Sequence, residues 1–407
     1  MSMRSADLPV LVAGAGPVGL TAALALRARG LPVTVLEAGP DGRTRPGSRA
    51  IFYHRQTLEH WEAMKPGLGR QVAQKGLVWS TKRTFWGERQ VFERSYQPTP
   101  PAQLPHSVNL AQVDAERLLF EACVDADVNF VWNAEVTGVE STPQCVTVGT
   151  AAGGTWRAQF LIAADGAGSG VRQALEIELE GSRSANSFII VDVIEETERP
   201  HRPERLYYYR HPAVGERNVL LMPFAGGWRA DLQLRTEDDP ADFNQPEGVA
   251  RWVARVLPEK YAERVSWIST YQFLQVIAST FTDSQHRVLL VGEAAHLFAP
   301  FGARGLNSGV PDAAAAAAAI AAAIQAGDRP GAAAAVQEFA AQRRSAALYN
   351  RDAAGVALTH MRAYSPLAKV KRRAAAAAAI AGQRAGQWLD SAPYGPRAAA
   401  RGTKAVY

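Results

Sequence analysis

A chain of 407 residues with 47% hydrophobic content can bury a large core, and its length suits two domains sharing one interface. Charged residues at 20% argue against disorder, and two cysteines, Cys123 and Cys145, argue against a disulfide framework or zinc site and for a reducing, cytoplasmic setting. The net charge of +5 concentrates in residues 361–407, where nine Lys or Arg face one acid, Asp390; without the aromatic-interleaved motif of a nucleic-acid module, this tract reads as a solvated helix surface, with membrane contact the lesser reading.

The first elements read strand, glycine turn, helix, strand: Leu8–Ala13, Gly14–Gly19, Leu20–Arg29 and Val33–Glu37, the opening βαβ of a doubly wound α/β fold. The uncharged stretch Pro9–Leu26 is too broken by glycine and proline for a signal peptide or membrane span. Residues 40–50 read as a loop, and helices are expected at Arg55–Met64 and Asp114–Ala126. Strands are expected at Asn129–Glu140, Cys145–Thr150 and Trp156–Ala164. Longer ones follow at Ser187–Val193, Leu206–Arg210, Asn218–Pro223, Trp228–Leu234 and Ser266–Val276, then a buried strand at Arg287–Gly292. Asp312–Ile324 and Ala374–Ala379 are alanine-rich helices, and the bias from residue 391 suggests a frayed terminus. The expected division is a nucleotide-binding domain in two parts, 1–182 (with some strands of the second domain) and 281–345. A mainly antiparallel sheet domain, 183–280, is inserted between them, and C-terminal helices with a basic tail occupy 346–407.

Three motifs carry chemistry. In Gly14-Ala15-Gly16-Pro17-Val18-Gly19, Gly14 permits a tight turn, Gly16 lets backbone approach a pyrophosphate, and Gly19 lets helix and strand pack closely. Glu37, ending the second strand, is placed to accept hydrogen bonds from a ribose diol; an acid there disfavours a 2′-phosphate, which leaves FAD or NAD as occupant. The second motif, Leu161-Ile-Ala-Ala-Asp165-Gly166-Ala-Gly-Ser169-Gly-Val-Arg172, is by itself a strand and a polar turn. The third, Val288-Leu-Leu-Val-Gly292-Glu293-Ala-Ala-His296, runs into Pro300-Phe-Gly302-Ala-Arg304-Gly305-Leu306-Asn307. It sets a carboxylate at a strand end before a helix whose N–H groups favour negative charge.

In this order and at these separations the motifs resemble the class A FAD-dependent aromatic hydroxylases, the para-hydroxybenzoate hydroxylase-like family, over roughly residues 8–345. Gly47-Ser-Arg49-Ala-Ile and the third motif are most similar to its phenylpropionate and polyketide hydroxylase group, many of which carry a thioredoxin-like C-terminal domain that this chain is expected to be too short to hold. The resemblance implies a Rossmann-like FAD-binding domain, an inserted sheet domain for substrate and a helical C-terminus. It implies non-covalent FAD, transient NADPH or NADH as reductant, and hydroxylation of a small aromatic substrate by molecular oxygen through a flavin hydroperoxide.

Carried over residue by residue, it assigns Gly14, Ala15, Gly16, Pro17, Val18, Gly19, Glu37 and Ala38 to the ADP half, and Arg49 and Gln112 to cofactor contacts. Val136 would approach the adenine by its backbone, and Asp165 and Gly166 belong to a motif linked to both FAD and nicotinamide. Arg229 would come from the sheet domain to position the flavin. Glu293 replaces the family's aspartate with one more methylene, and Pro300, Gly302, Gly305, Leu306 and Asn307 would line the isoalloxazine. Tyr208, within Tyr207-Tyr-Tyr209, aligns with a tyrosine that ionises phenolic substrates, and Tyr208, Met222, Phe224 and Pro300 are candidates to touch substrate. Leu221 and Pro223 stand where the family's benzoate enzyme binds a carboxylate. They supply neither charge nor side-chain donor, so a neutral phenolic, polycyclic or quinone-like aromatic is expected.

Several single residues stay open. Trp79, Phe85, Trp86, Phe188, Met222, Phe224 and Phe273 are candidate cavity walls, with core packing the default for each alone. His296 reads as structural, and His54 and His211 as surface or pocket wall. An FAD-dependent reductase or dehydrogenase without oxygenation would share all three motifs, and a non-catalytic FAD-binding regulator is the rival of another class.

Overall fold

The structure is a computed structural model that describes residues 10–42, 49–363 and 365–396, with nothing described of the side chains at 184–186. Gly47 and Ser48 of the motif ending at Arg49-Ala-Ile lie outside the described residues, as does the tail beyond 396.

Five short parallel strands form the first layer: β1 (Val10–Ala13), β2 (Val33–Leu36), β7 (Asn129–Val131), β11 (Leu161–Ala163) and β17 (Val288–Leu290), ordered β17-β11-β1-β2-β7. Most of their residues are buried and apolar, as expected of a parallel sheet covered on both faces. Helix α1 (Pro17–Arg27) packs beside it with Pro17 at its start, where a missing N–H costs nothing. The order reverses at β1, between β2 and β11, the switch point where open α/β sheets bind their ligands.

An eight-stranded sheet forms the second domain. It runs β18 (His296–Leu297), β16 (Val265–Ala278), β12 (Leu179–Ile194), β15 (Gly227–Gln233), β14 (Arg217–Phe224), β13 (Glu204–His211), β4 (Thr81–Trp86) and β5 (Arg89–Ser95). Its antiparallel pairing is interrupted once, where β13 and β4 run parallel. Smaller sheets are β10-β9-β8 (Thr155–Ala158, Val146–Thr150, Val136–Ser141) and the pair β3 (Phe52–His54) and β6 (Ser107–Asn109). The helices α2 (Arg55–Met64), α3 (Leu68–Lys75), α4 (Gln112–Val124) and α5 (Gly170–Ala174) belong to the first half; α6 (Ala241–Asn244) and α7 (Pro246–Val256) lie in the inserted domain. Four C-terminal helices follow: α8 (Arg304–Ala326), α9 (Arg329–Arg362), α10 (Pro366–Ala378) and α11 (Gln383–Ser391).

Several sequence expectations meet a different structure. The single strands expected at Asn129–Glu140 and Trp156–Ala164 are each two strands in different sheets, because the chain leaves the parallel sheet between β7 and β8 and rejoins it between β10 and β11. In the inserted sheet β12 starts at Leu179, and β4 and β5 are the strands that join from upstream. The boundary expected at 345 falls inside α9, a continuous 34-residue helix. Residues 391–396 are not frayed, since Pro393 and Tyr394 form a turn packed against the sheet domain.

Helix α8 is the one helix among the described residues long and apolar enough to cross a membrane, with 56% of that window buried. Its small alanine side chains let it pack closely against both α1 and α9.

Candidate functional site: a nucleotide groove and an adjoining cavity

The first motif touches both others, Gly14 lying against Ala164 and Asp165 and Val18 against Gly292. The position a Cβ would take on Gly292 lies 3.1 Å from Val18, and that on Gly309 of α8 only 2.5 Å from it, so both approaches require glycine. Gly14 has φ +96° and Gly166 has φ +84°, a backbone that side-chain-bearing residues avoid. A Cβ on Gly19 would stand 1.9 Å from the Gly14 carbonyl oxygen.

Neither α1 nor α8 has a side chain capping its first turn, so backbone N–H groups there are left for another partner. Helix α8 follows two successive left-handed residues, Gly302 (φ +82°) and Ala303 (φ +54°). Around Gly166, Gly168 and Gly305 nothing lies within 4 Å of where a Cβ would be. Glycine-lined backbone, uncapped helix starts and an acid at the second strand end suit the pyrophosphate, isoalloxazine edge and ribose of FAD, and the group fits.

The carboxylate of Glu37 accepts from Ala15 N at 2.6 Å and Gly39 N at 2.8 Å, pinning the glycine loop to the second strand. Ala38 beside it is exposed. Asp165 spends both oxygens on its own turn, accepting from Ser169 Oγ (2.6 Å) and Val171 N (3.0 Å); burial raises its pKa, and these bonds oppose the rise. Val136 lies under the start of α5, its carbonyl 2.7 Å from a Cβ position on Gly170. Gln112 accepts from Ala50 N (3.2 Å) and donates to Glu116 (2.6 Å). Arg229 donates to Asp192 at 3.0 Å and to the carbonyl of Arg49, which has φ +47°, so the sheet domain holds that turn in place.

Glu293 is exposed at the end of β17, free to reach a ligand in the groove. Asn307 is not. Its amide accepts from His54 N (3.0 Å) and Thr57 Oγ1 (2.6 Å) and donates to Phe52 O (2.8 Å) and Ala303 O (2.7 Å). That side chain braces β3 against α8, and only backbone remains to face a ring. His296 is held at 2.6 Å by buried Asp312, which Arg343 also contacts at 2.7 Å. Burial works to raise the Asp312 pKa, and these two partners outweigh it and lower it. His296 is therefore a structural residue beneath the third motif.

Beyond that motif lies a cavity of about 330 Å³. Pro300, Phe301, Gly302, Ala303 and Arg304 form one wall, so the cavity shares Pro300 and Gly302 with the stretch expected to line the isoalloxazine. Phe188, Phe273 and Phe301 form an aromatic cluster with centroids 4.9 to 5.7 Å apart. Trp79, Tyr96 and His106 form another side, with Tyr96 and His106 stacked at 4.5 Å. The sheet contributes alternate residues: Asn218, Leu220 and Met222 from β14, Arg205 and Tyr207 from β13, and Lys82 from β4.

That alternation corrects several expectations. Tyr208 points to the opposite face, stacked on Phe85 at 4.5 Å and edge-on to His211 at 4.6 Å; burial raises its pKa, and it cannot serve as a base in this cavity. Leu221 is buried in the second core with Trp228 and Trp252, on the far face of the sheet, so an apolar wall made by Leu221 and Pro223 does not face substrate. Phe224 packs over Gly227 instead of lining the cavity, and Trp86 lies against Tyr209 and Arg372. Met222 and Pro300 do line it. Tyr207, whose hydroxyl donates to Met361 Sδ at 2.9 Å, is held protonated by burial.

Sequence reasoning missed the charged groups here. Lys82 and Arg205 are buried and share Asp390 of α11, Lys82 in direct contact and Arg205 at 3.8 Å. Arg205 also lies 4.9 Å over the Tyr394 ring. Arg304 donates to Asn350 (2.7 Å) and to the carbonyls of Tyr394 (3.1 Å) and Pro396 (2.8 Å). The basic tract is thus not all solvated surface, since Arg372 is buried against the carbonyls of His360 and Met361. One signal was present: in Trp228-Arg-Ala-Asp-Leu-Gln233, polar residues at every second position mark a polar face on a central strand.

A family model described as "FAD binding domain" matches residues 7–347. The 6-methylpretetramide 4-monooxygenase of Streptomyces rimosus is 29% identical over 327 residues, covering 76% of this chain and 55% of that one. A 3-(3-hydroxy-phenyl)propionate/3-hydroxycinnamic acid hydroxylase of Mycobacterium avium is 27% identical over 333 residues, covering 76% and 54%. The chain thus spans about half the length of these two relatives. A crystal structure of p-nitrophenol 4-monooxygenase from Pseudomonas putida superposes with TM-score 0.76 over 96% of this chain and 99% of that one; at 24% identity it speaks for the fold.

Proposed function

Starting from a chain that belongs to the FAD-binding domain family, we propose that it is an FAD-dependent monooxygenase that hydroxylates a phenolic, polycyclic or quinone-like aromatic. The observation carrying this reading is the aromatic-walled cavity of about 330 Å³ directly beyond the third motif. It is large enough for a flat one- or two-ring substrate.

Bound FAD would supply the redox chemistry: acceptance of hydride from NADH or NADPH and transfer of one oxygen atom of O2 to the substrate, with the other lost as water. Gly14 to Gly19, Glu37, Gly166 and Glu293 would hold it, with Pro300 to Gly305 along its ring. Phe188, Phe273 and Phe301 would orient a flat substrate and exclude water, which otherwise diverts reduced cofactor to hydrogen peroxide. With Leu221 and Pro223 facing away, the cavity is not uniformly apolar, although Lys82 and Arg205 are already partnered by Asp390. Both cysteines are unpaired, which supports a cytoplasmic setting where the reductant is available.

The test is a panel of phenols, naphthols, quinones and hydroxybenzoates. Purified protein should be yellow, and at least one neutral aromatic should stimulate NAD(P)H oxidation with matching hydroxylated product and little hydrogen peroxide. Stimulated oxidation that yields only peroxide or a reduced acceptor across the whole panel would overturn the monooxygenase reading.

A further inference from the structure

We propose that Asp231 is the proton acceptor that draws the hydroxyl proton from a phenolic substrate in this cavity, an inference that rests on the hydroxylase reading above. It is the one carboxylate among the described residues lining the cavity. On β15 it sits in register between Leu220 of β14 and Ile190 of β12, both of which line the same space.

The polar stripe to which it belongs is otherwise self-satisfied. Arg229 is bonded to Asp192 at 3.0 Å, and Gln233 accepts from Asn218 at 2.8 Å. Asp231 is the exception: its Oδ1 is shut off from solvent with no hydrogen-bond partner. A half-buried carboxylate that lines a cavity with one oxygen unmet is short of hydrogen-bond donors, and a ligand in the cavity can supply one to the group. A phenolic hydroxyl is such a donor.

The electrostatics suit a proton acceptor near neutrality. Burial pushes the Asp231 carboxyl up to about 7, Arg229 on the same strand opposes the rise, and Asp192 on β12 adds to it. The β14 neighbours Asn218, Leu220 and Met222 carry no charge, and Lys82, Arg94, Arg205, Arg304, His54 and His106 stand on the other walls. Two of the alternatives are engaged elsewhere: the Tyr207 hydroxyl donates to Met361, and the His54 ring meets the Gly302 carbonyl at 3.1 Å.

The step balances without another reactant. The phenolic O–H bond breaks, the proton joins a carboxylate oxygen of Asp231, and the electron pair stays on the substrate oxygen. That pair raises electron density at the ring carbon that takes up oxygen. As the ring regains aromaticity, that carbon releases its hydrogen to water as a proton, and Asp231 returns its own to the ring oxygen.

The experiment compares the binding of 4-methylphenol and its methyl ether, 4-methylanisole, by intrinsic fluorescence, with wild-type protein and Asp231→Asn. FAD content and melting temperature check that the variant folds. The range runs from about pH 5.5 to about pH 8.5, where the phenol itself stays neutral. Wild-type preference for the phenol should grow about tenfold through pH 7 as a charged acceptor forms, and the variant's should stay flat. In turnover, Asp231→Asn should lose about 100-fold at pH 7 and recover as the pH approaches the phenol's own ionisation. A flat wild-type preference, or a variant that keeps the pH-dependent preference or wild-type turnover, overturns the role of Asp231 and leaves the hydroxylase reading standing. A wild-type protein that hydroxylates nothing in the panel, yet shows a pH-dependent preference that Asp231→Asn abolishes, overturns the hydroxylase reading and keeps Asp231 as the group that meets the phenolic hydroxyl.

Discussion

A side chain at position 19 would collide with the loop it closes, since its Cβ would stand 1.9 Å from the carbonyl oxygen of Gly14. Neither partner can give way easily, because one is a helix backbone and the other a left-handed turn at φ +96°. Gly19→Val should therefore open the glycine loop, costing about 1–3 kcal/mol of stability and most of the FAD content. Flavin absorbance of the purified variant checks this, and a normally yellow protein would contradict it. Such residues are legible in the sequence because the constraint is local: a tight turn followed at once by a helix leaves no room for a Cβ whatever surrounds it. Asn307 and Asp165 show the opposite. Their positions were readable, but their side chains are consumed by His54, Thr57, Ser169 and Val171, partners that folding alone supplies.

At the scale of the element, the sheet domain turns on period two. Strand β13 presents Arg205 and Tyr207 to the cavity and Leu206 and Tyr208 to the far side, where α7 closes a second core with Trp228 and Trp252. A one-residue shift in the assumed facing exchanges the two sets, which is how Tyr208 and Leu221 came to be expected at the substrate. Three consecutive tyrosines erase the alternation that would have fixed the phase. Tyr208→Phe should accordingly change kcat/KM less than about twofold and stability by less than about 1 kcal/mol. Steady-state kinetics and urea unfolding check this, and a loss of turnover without a loss of stability would return Tyr208 to the cavity. Strand β15 was better marked, since Arg229, Asp231 and Gln233 alternate with Trp228, Ala230 and Leu232. A polar face on a central, covered strand needs either internal partners or a ligand.

At the scale of the whole molecule, α11 and the turn after it seal the cavity on the sheet domain. Asp390 contacts Lys82 of β4, accepts from Thr84 Oγ1 at 3.0 Å, and lies 3.8 Å from Arg205 of β13, with all three charged groups buried. Removing one partner of a buried ion cluster leaves the others uncompensated. Asp390→Asn should cost about 3 kcal/mol in urea unfolding, and loosening this wall should raise the share of NAD(P)H oxidation that ends as hydrogen peroxide. Unchanged unfolding would mean that the cluster is not a tie between the C-terminal helices and the sheet.

By itself the sequence determined the parallel βαβ opening, the glycine loop, the acid after the second strand and the two later motifs. Each is a short run in which backbone geometry and residue type constrain one another directly. It also located most strands of the inserted sheet by their alternation. Only the tertiary structure decided which face of those strands meets the cavity, since that depends on α7 covering one side and the C-terminal helices the other. It alone brought Asp390 to Lys82, 308 residues away in sequence, and left Oδ1 of Asp231 without a hydrogen-bond partner. Pairing and solitude of buried charges are properties of what packs against them, and a linear pattern carries no record of distant neighbours.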